Sequence, residues 1–285
     1  MYPAAFDYHA PSTVREALDL LGKYKDDAKL LAGGHSLLPA MKLRLSRPAH
    51  LVDLRKVSGL TGFKEEGGAI VIGAMTTHRA IETSSVVTGK CPVLAEAAAM
   101  VGDPMVRNMG TIGGSLAHAD PAADYPACVI ALNAEIVCEG AKGKRTIKID
   151  DFFKGLLTTA VGPDEIVTEI RIPAAGNLGQ SYKKFPHPAS RFAVVGVAAV
   201  LTLDGGKVGK ASVGVTGAGT HAVRAKGTEA AMAGKAADAA SIQAAADRAA
   251  EGVDVQADLQ GSVEYKTHLV KVFARRAIEA AAAKK

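Results

Sequence analysis

The sequence predicts an α+β fold built from three consecutive units. Apolar segments alternate with helical periodicity over residues 1–55, and short β-patterned stretches separated by Gly and charged turns fill residues 56–175. The last part, residues 176–285, has three longer β-patterned stretches followed by Ala-rich helical sequence. We therefore place the domain boundaries at 1–55, 56–175 and 176–285.

The first unit is predicted to be a small βαβαβ arrangement. Apolar residues recur at helical spacing from Val14 to Tyr24, and the strand-like Lys29–Leu31 follows. A second helix is expected over Leu37–Leu45, before the strand-like sequence HLVDL.

The second unit is predicted to be mostly antiparallel. Its β-patterned stretches include AIVIGAMTT and AEIVCEG, and one helix is expected near Pro92–Met100.

The third unit follows the Pro- and Gly-rich connection IRIPAAGNLGQ. The stretches SYKKF, FAVVGVAAVLTL and KASVGVTGA predict a three-stranded antiparallel sheet, and the Ala-rich sequence within 223–283 predicts helices over one of its faces. Residues 225–250 have a helical pattern throughout.

Composition narrows the function classes. Only 5% of the 285 residues are aromatic, Trp is absent and Gly numbers 30, so packing should depend on close backbone approach, which suits a cofactor lying against main chain. The basic residues behind the net charge of +5 are scattered, which disfavours nucleic acid binding. No apolar run is long enough to span a bilayer and the N-terminus lacks a signal-peptide pattern, so we expect a cytoplasmic protein, membrane-associated only through a partner.

The spacing of the Cys, His and Ser residues does not indicate a metal site or a catalytic nucleophile. The spacings of Cys91, Cys128 and Cys138 match neither a zinc site nor an iron–sulfur cluster, so these residues are expected to be small buried hydrophobes. His35, His78 and His118 are too dispersed for a metal site, and no nucleophile elbow precedes a catalytic His. We assign no metal ligand and no side chain to bond making.

The first candidate site is the segment Ala32-Gly33-Gly34-His35-Ser36, between a strand and a helix that begins at Leu37. Two glycines allow a turn with positive φ and leave the amide groups open to a ligand, while Ser36 can cap the helix. Such a turn can hold a phosphate, although a Gly-Gly turn alone is more often a simple connection.

The second candidate is Thr111-Ile112-Gly113-Gly114-Ser115, followed by Asp120 and Asp124. Its glycines and hydroxyls could present N–H groups to phosphate oxygens, and a downstream carboxylate could accept hydrogen bonds from ribityl or ribose hydroxyls. Two such loops in different units suggest that both halves of a dinucleotide pyrophosphate are held between the units.

A third glycine motif, Gly217-Ala218-Gly219-Thr220-His221-Ala222, fits the dinucleotide pattern G-x-G-x-x-A, with Asp238 about 20 residues on. NAD binding would require a second parallel strand ending near Asp238, but the sequence there has a helical pattern. We therefore interpret the motif as a turn.

The segments AGGHSLLPAMKLRL at 32–45 and TIGGSLAHADPAADYPA at 111–127 resemble the two FAD-binding signatures in the medium subunits of carbon monoxide dehydrogenase and related molybdenum hydroxylases. The likeness continues from FDYHAPSTVREALDLL through GAMTTH at 73–78 to the C-terminal helices. The resemblance implies a vanillyl-alcohol-oxidase-like (PCMH-type) FAD fold, with FAD between the first two units and its flavin ring near the third.

Site residues follow from the resemblance by position. It implies that one part of the pyrophosphate is surrounded by Ala32, Gly33, Gly34, His35, Ser36 and the adjoining Leu37, and another part by Thr111, Gly113, Gly114 and Ser115. It further implies that Thr77 and Asp124 contact the ribityl or adenosine portion and that Lys184 lies near the flavin. Relatives often have Asn where this chain has Ser115, so Ser115 offers one hydrogen-bond donor where the amide offers two. They also have an aromatic residue, commonly Tyr, in the segment of Phe192. Phe192 could cover the flavin but lacks a hydroxyl.

The leading functional hypothesis is electron transfer. A large molybdopterin subunit would oxidise the substrate, a small iron–sulfur subunit would relay the electrons, and FAD on this chain would pass them to an external acceptor, with the flavin rather than a side chain carrying the chemistry. The molybdenum cofactor and iron–sulfur clusters are expected on the partners only, in a complex of two heterotrimers. The alternatives are a freestanding flavin oxidoreductase and a non-redox nucleotide-binding or assembly module.

Overall fold

The computed structural model describes residues 1–173 and 178–284. In the first unit, the strands are β1 (Asp7–His9), β2 (Ala28–Leu31) and β3 (His50–Asp53), and the helices are α1 (Val14–Tyr24) and α2 (Leu37–Lys42). The strands form a parallel sheet in the order β1-β3-β2, which confirms the predicted βαβαβ arrangement. Helix α1 begins where the Thr13 side chain accepts a hydrogen bond from the N–H of Glu16, and it buries Ala17, Leu18 and Leu21.

The second unit is a five-stranded antiparallel sheet with short helices. Its strands are β4 (Phe63–Glu66), β5 (Ala69–Gly73), β6 (Glu135–Gly140), β7 (Gly143–Lys148) and β10 (Glu165–Pro173), in the order β4-β5-β10-β6-β7. The helices are α3 (His78–Thr83), α4 (Ser85–Lys90), α5 (Pro92–Met100), α6 (Pro104–Met109), α7 (Ile112–His118) and α8 (Tyr125–Ala131). A separate hairpin joins β8 (Phe153–Gly155) to β9 (Thr158–Thr159). The predicted helix Pro92–Met100 has the bounds of α5.

The third unit is an antiparallel sheet covered by helices. Strands β11 (Leu178–Pro186), β12 (Ala193–Asp204), β13 (Lys207–Thr216) and β14 (Val223–Arg224) follow one another in the sheet. Helices α9 (Lys226–Met232), α10 (Ala239–Ala246) and α11 (Val263–Ala282) complete it. The sequence predicted three strands, and the fourth is a two-residue strand too short to give a period-2 pattern.

Two helix predictions need correction. The helix expected over Leu37–Leu45 ends at Lys42, because Arg44 has a left-handed φ of 60° that a helix cannot continue through. The uniform helix expected over 225–250 is broken between α9 and α10, where Gly234 has a φ of 74° and Asp238 caps the second helix. Alanine content alone did not reveal this break.

The second and third units pack through a shared apolar core. Tyr182, Ala198 and Val200 from the third sheet belong to the same buried cluster as the helices of the second unit. The contact is close enough that a Cβ added to Gly214 in β13 would overlap the carbonyl oxygen of Ala127 in α8. The predicted boundary near residue 175 lies outside the described residues.

None of the helices within the described ranges has the length and apolarity needed to cross a bilayer.

Candidate FAD-binding site

The two Gly-Gly loops, far apart in sequence, lie against each other in the structure. A Cβ added to Gly33 would overlap the carbonyl oxygen of Met109 and would lie 2.6 Å from Cα of Gly110, the residue before the second loop. A Cβ added to Gly114 would lie 3.3 Å from Cβ of Ala32. The absence of a side chain at Gly33 therefore allows the first and second units to meet backbone to backbone at this point.

The first loop presents unpaired backbone donors. No group within residues 1–173 and 178–284 accepts a hydrogen bond from the N–H groups of residues 33–37. Gly34 has a φ of 76°, which lets the loop turn tightly, and the exposed Ser36 makes no capping hydrogen bond with its side chain. Consecutive free N–H groups with a free hydroxyl form an arrangement that binds anions.

The second loop, Thr111–Ser115, is not the open loop that the sequence predicted: Thr111 caps helix α7 and Ile112 begins it, so both glycines lie in the first helical turn. Its N–H groups are therefore not arranged to bind phosphate as expected. Gly113 donates its N–H to Ala74 O at 2.8 Å, and Gly114 donates to Thr111 Oγ1 at 3.1 Å. The N–H of Ser115 is also used, in a bond to Thr111 O. The groups of this loop that can reach a ligand are therefore hydroxyls, including the partly buried Ser115, and not the glycine amides.

Thr77 and Thr111 are held side by side, with an antiparallel bridge joining their two segments. His78 donates its N–H to Gly110 O at 2.9 Å, and Ile112 donates to Thr76 O at 3.1 Å. Thr77 also caps α3 by accepting from the N–H of Ala80. The structure thus places Thr77, predicted from the resemblance alone, at the edge of the second loop.

His78, one of the three histidines whose spacing did not indicate a metal site, is buried beside this site. Its side chain lies beside Gly110, since a Cβ there would be 2.5 Å from His78 Nε2, and its ring is 5.2 Å from that of Tyr125. His78 Nδ1 and the Tyr125 hydroxyl are buried without a hydrogen-bond partner among the described residues. Burial lowers the pKa of His78 to about 4, and the nearby His35 and Arg107 act in the same direction.

Asp124 and Lys184 form a buried ion pair. Lys184 Nζ lies 2.9 Å from Asp124 Oδ1 and also donates to Met100 O and Arg191 O, at 2.9 Å and 2.8 Å. Tyr182 donates its hydroxyl to Asp124 Oδ1 at 2.6 Å. Burial raises the pKa of Asp124, while the Lys184 ammonium and the Tyr182 hydroxyl oppose that shift. The resemblance implied that Asp124 contacts the cofactor and that Lys184 lies near the flavin. In the structure, the polar atoms of both residues have partners within the protein.

Phe192 stands at the tip of the β11–β12 hairpin, with 47% of its surface exposed. The hairpin is closed by a bond from His187 N to Phe192 O at 2.8 Å and is fixed to the second unit by a bond from Ala193 N to Ala122 O at 3.1 Å. Because Lys184 Nζ donates to both Arg191 O and Asp124 Oδ2, Lys184 connects the residue before Phe192 to Asp124. The structure therefore holds this exposed aromatic at a fixed place relative to the second loop.

The remaining glycine motif, residues 217–222, leads from β13 into β14, which pair antiparallel. The motif is followed directly by the antiparallel strand β14 and not by a helix, so the structure has a turn there and not a βαβ unit. A separate cavity of about 300 Å³, lined in part by Leu132, Pro173 and Val200, shares no residue with the two Gly-Gly loops.

The residues present fit the diphosphate and ring of FAD. The first loop has amide donors for an anion, the second adds hydroxyls, and the hairpin offers an exposed aromatic face. The fit is strongest at the first loop, where free donors are consecutive.

Comparison with known proteins gives the same assignment over the whole chain. Residues 4–175 match the family described as the FAD-binding domain in molybdopterin dehydrogenase, and residues 180–281 match the CO dehydrogenase flavoprotein C-terminal domain. The carbon monoxide dehydrogenase medium chain of Hydrogenophaga pseudoflava is 43% identical over 99% of this chain and 98% of its own length. The corresponding chain of Afipia carboxidovorans is 40% identical over 100% and 99%.

Solved structures agree with these relatives. A carbon monoxide dehydrogenase chain from Hydrogenophaga pseudoflava matches with a TM-score of 0.96 and 45% identity, covering 100% of this chain and 99% of that one. A chain of quinoline 2-oxidoreductase from Pseudomonas putida 86 matches with a TM-score of 0.93 and 34% identity, covering 99% and 98%. This chain therefore belongs to the family of FAD-binding medium subunits of the molybdenum hydroxylases, which includes the medium chains of carbon monoxide dehydrogenase.

Proposed function

We propose that this chain carries the FAD of a carbon monoxide dehydrogenase-like complex and passes electrons from a partner's iron–sulfur clusters to an external acceptor. The observation that carries this proposal is the contact between the two Gly-Gly loops, with unpaired amides at residues 33–37 on one side. Full-length likeness to carbon monoxide dehydrogenase medium chains supports the choice of complex.

The first loop would hold the diphosphate. The N–H groups of Gly33, Gly34, His35, Ser36 and Leu37 donate to its oxygens, and Ala32 leaves room for the neighbouring loop. Because both loops take part, opening their contact would weaken binding even if every donor remained.

The second loop would contribute side chains. The hydroxyls of Thr77, Thr111 and Ser115 are the groups that remain to donate there, because the amides of Gly113 and Gly114 have internal partners. Phe192 would cover the ring system, with Lys184 and Asp124 holding its hairpin in place.

When bound, FAD supplies two-electron chemistry that can also proceed one electron at a time, which suits exchange with iron–sulfur clusters. The chain positions the cofactor and excludes water from part of it. No side chain of the chain is assigned to a bond-making step.

A large molybdopterin subunit and a small iron–sulfur subunit are the proposed partners. Similar proteins carry names such as carbon monoxide dehydrogenase medium chain and nicotine 6-hydroxylase medium subunit, so the oxidised substrate would be selected on a partner. Carbon monoxide is the substrate we propose, because the relatives with that name are 43% and 40% identical, against 35% for the nicotine enzyme.

Anaerobic reduction tests the proposal. The complex purified through this chain should show flavin absorbance that bleaches on addition of carbon monoxide, while the isolated chain reconstituted with FAD should not bleach. Bleaching of the isolated chain by an organic substrate would favour a freestanding flavin oxidoreductase. A chain that binds nucleotide without any flavin bleaching in the complex would favour a non-redox module.

A further inference from the structure

We infer that His78 is a positioning residue that sets the contact between the two Gly-Gly loops and thereby makes FAD retention sensitive to acid. The inference rests on the proposed FAD binding and concerns a residue outside the groups expected to touch the cofactor. It follows from a chain of contacts that begins at the His78 ring.

The His78 ring lies directly against Gly110. A Cβ on Gly110 would be 2.5 Å from His78 Nε2, so the ring fills the space that a side chain would need. On the other side, Gly110 Cα is 2.6 Å from the position of a Cβ on Gly33. His78, Gly110 and Gly33 are therefore stacked, and a displaced ring would move the second loop relative to the first.

The ring is also fixed from its other neighbours. The backbone N–H of His78 donates to Gly110 O, and Thr77 before it is bridged to Thr111. Tyr125, the residue after Asp124, lies 5.2 Å from the ring. His78 thus connects α3, the second loop and the start of α8, which are the elements that shape the site.

The surroundings disfavour a positive charge on the ring. The side chain is buried, Nδ1 has no partner among the described residues, and the polar neighbour Tyr125 is likewise without one. The charged or titratable groups that face it are His35 from the first loop and Arg107 from α6, and neither is an anion that could stabilise an imidazolium. Glu82 on its own helix is engaged with Arg79 and Arg107. No nearby anion within the described part of the chain would stabilise the protonated imidazole, so protonation should displace the ring.

Lowering the pH should weaken the contact between the two loops. The lowered pKa, about 4 against an ordinary 6.5, means that the neutral ring is favoured in the folded protein. The stabilisation is complete above about pH 6.5 and is lost as the pH falls towards 4. The ring of the folded protein itself gains a proton only near pH 4, so FAD should be released as the pH approaches that value.

The experiment measures the FAD affinity of the complex purified through this chain, by flavin fluorescence from about pH 8 down to about 4, the acid end of the titration range. Circular dichroism is a separate readout of folding. His78→Gln, which cannot titrate, should bind FAD about tenfold more weakly at neutral pH, the factor produced by about 1.4 kcal/mol, and its affinity should depend less on pH than that of the parent. His268→Gln, at an exposed histidine of α11 outside both FAD-binding signatures, is the matched control and should behave as the parent does. Equal affinity and equal pH dependence in parent and His78→Gln would overturn the inference.

A second comparison remains informative if His78→Gln folds poorly. Gly110→Ala should weaken FAD binding when His78 is present, because the new methyl group meets Nε2, and should weaken it less in a His78→Ala background. Additive losses would contradict the stacked arrangement. A parent complex that contains its partners but binds no FAD at any pH would instead refute the proposed function.

Discussion

Removing the charge of Lys184 should lower the free energy of unfolding far more than removing the charge of the neighbouring Lys183. The Lys184 side chain is 1% exposed and donates to groups from three different elements: Met100 O at the end of α5, Asp124 before α8, and Arg191 O in the hairpin. Lys184→Met would leave the Asp124 carboxylate buried with only the Tyr182 hydroxyl as a partner. Breaking one side of a buried ion pair costs about 3–5 kcal/mol.

The matched control is Lys183→Met, which removes the same charge one residue away. Lys183 is on the opposite face of β11 and has no ion-pair partner among the described residues, so its loss should change the free energy of unfolding by no more than about 0.5 kcal/mol. Urea denaturation followed by circular dichroism measures both values. The double variant Asp124→Asn/Lys184→Met should be more stable than the sum of its single variants predicts, by about 0.5–3 kcal/mol. If Lys184→Met is as stable as Lys183→Met, the reasoning about this ion pair is wrong.

Three further substitutions test the close backbone contacts and one helix cap. Gly33→Ala should lower FAD affinity at least about tenfold because its methyl group forces the loops apart, whereas Gly22→Ala, which meets nothing within 4 Å, should leave affinity unchanged in a fluorescence titration. Gly214→Ala should lower the free energy of unfolding by about 1–3 kcal/mol through overlap with α8, measured by urea denaturation, and an unchanged midpoint would refute the contact. Thr111→Ala should cost about 1 kcal/mol by removing the cap of α7, a loss that Thr111→Ser should largely restore in thermal unfolding.

Local sequence determined the elements well where periodicity and capping agreed. Helix α1 has the predicted bounds because its apolar stripe begins just after a threonine that caps it. Helix α5 was predicted with its bounds because Pro92 can occupy the first helical turn. Both Gly-Gly segments were noticed because a glycine pair next to a hydroxyl residue occurs twice, at residues 33–36 and 111–115.

The arrangement of the site could not be read from the sequence. Whether a glycine amide is free depends on which carbonyl lies opposite, and only the fold places Ala74 O against Gly113 N. The same holds for Lys184, whose partners come from residues far away in sequence, and for His78, whose burial depends on α6 and α8. Local patterns predict what a residue can do, and tertiary contacts decide which of those possibilities remain.

The central claim is that this chain holds FAD where its first two units meet. The most direct test is the flavin content of the complex purified through this chain, measured by acid release of FAD together with the absorption spectrum. We expect one FAD per chain in the parent complex and markedly less FAD in the Gly33→Ala complex. The co-purifying partners should supply iron–sulfur absorbance. A parent complex that contains its partners but releases no FAD would contradict the account.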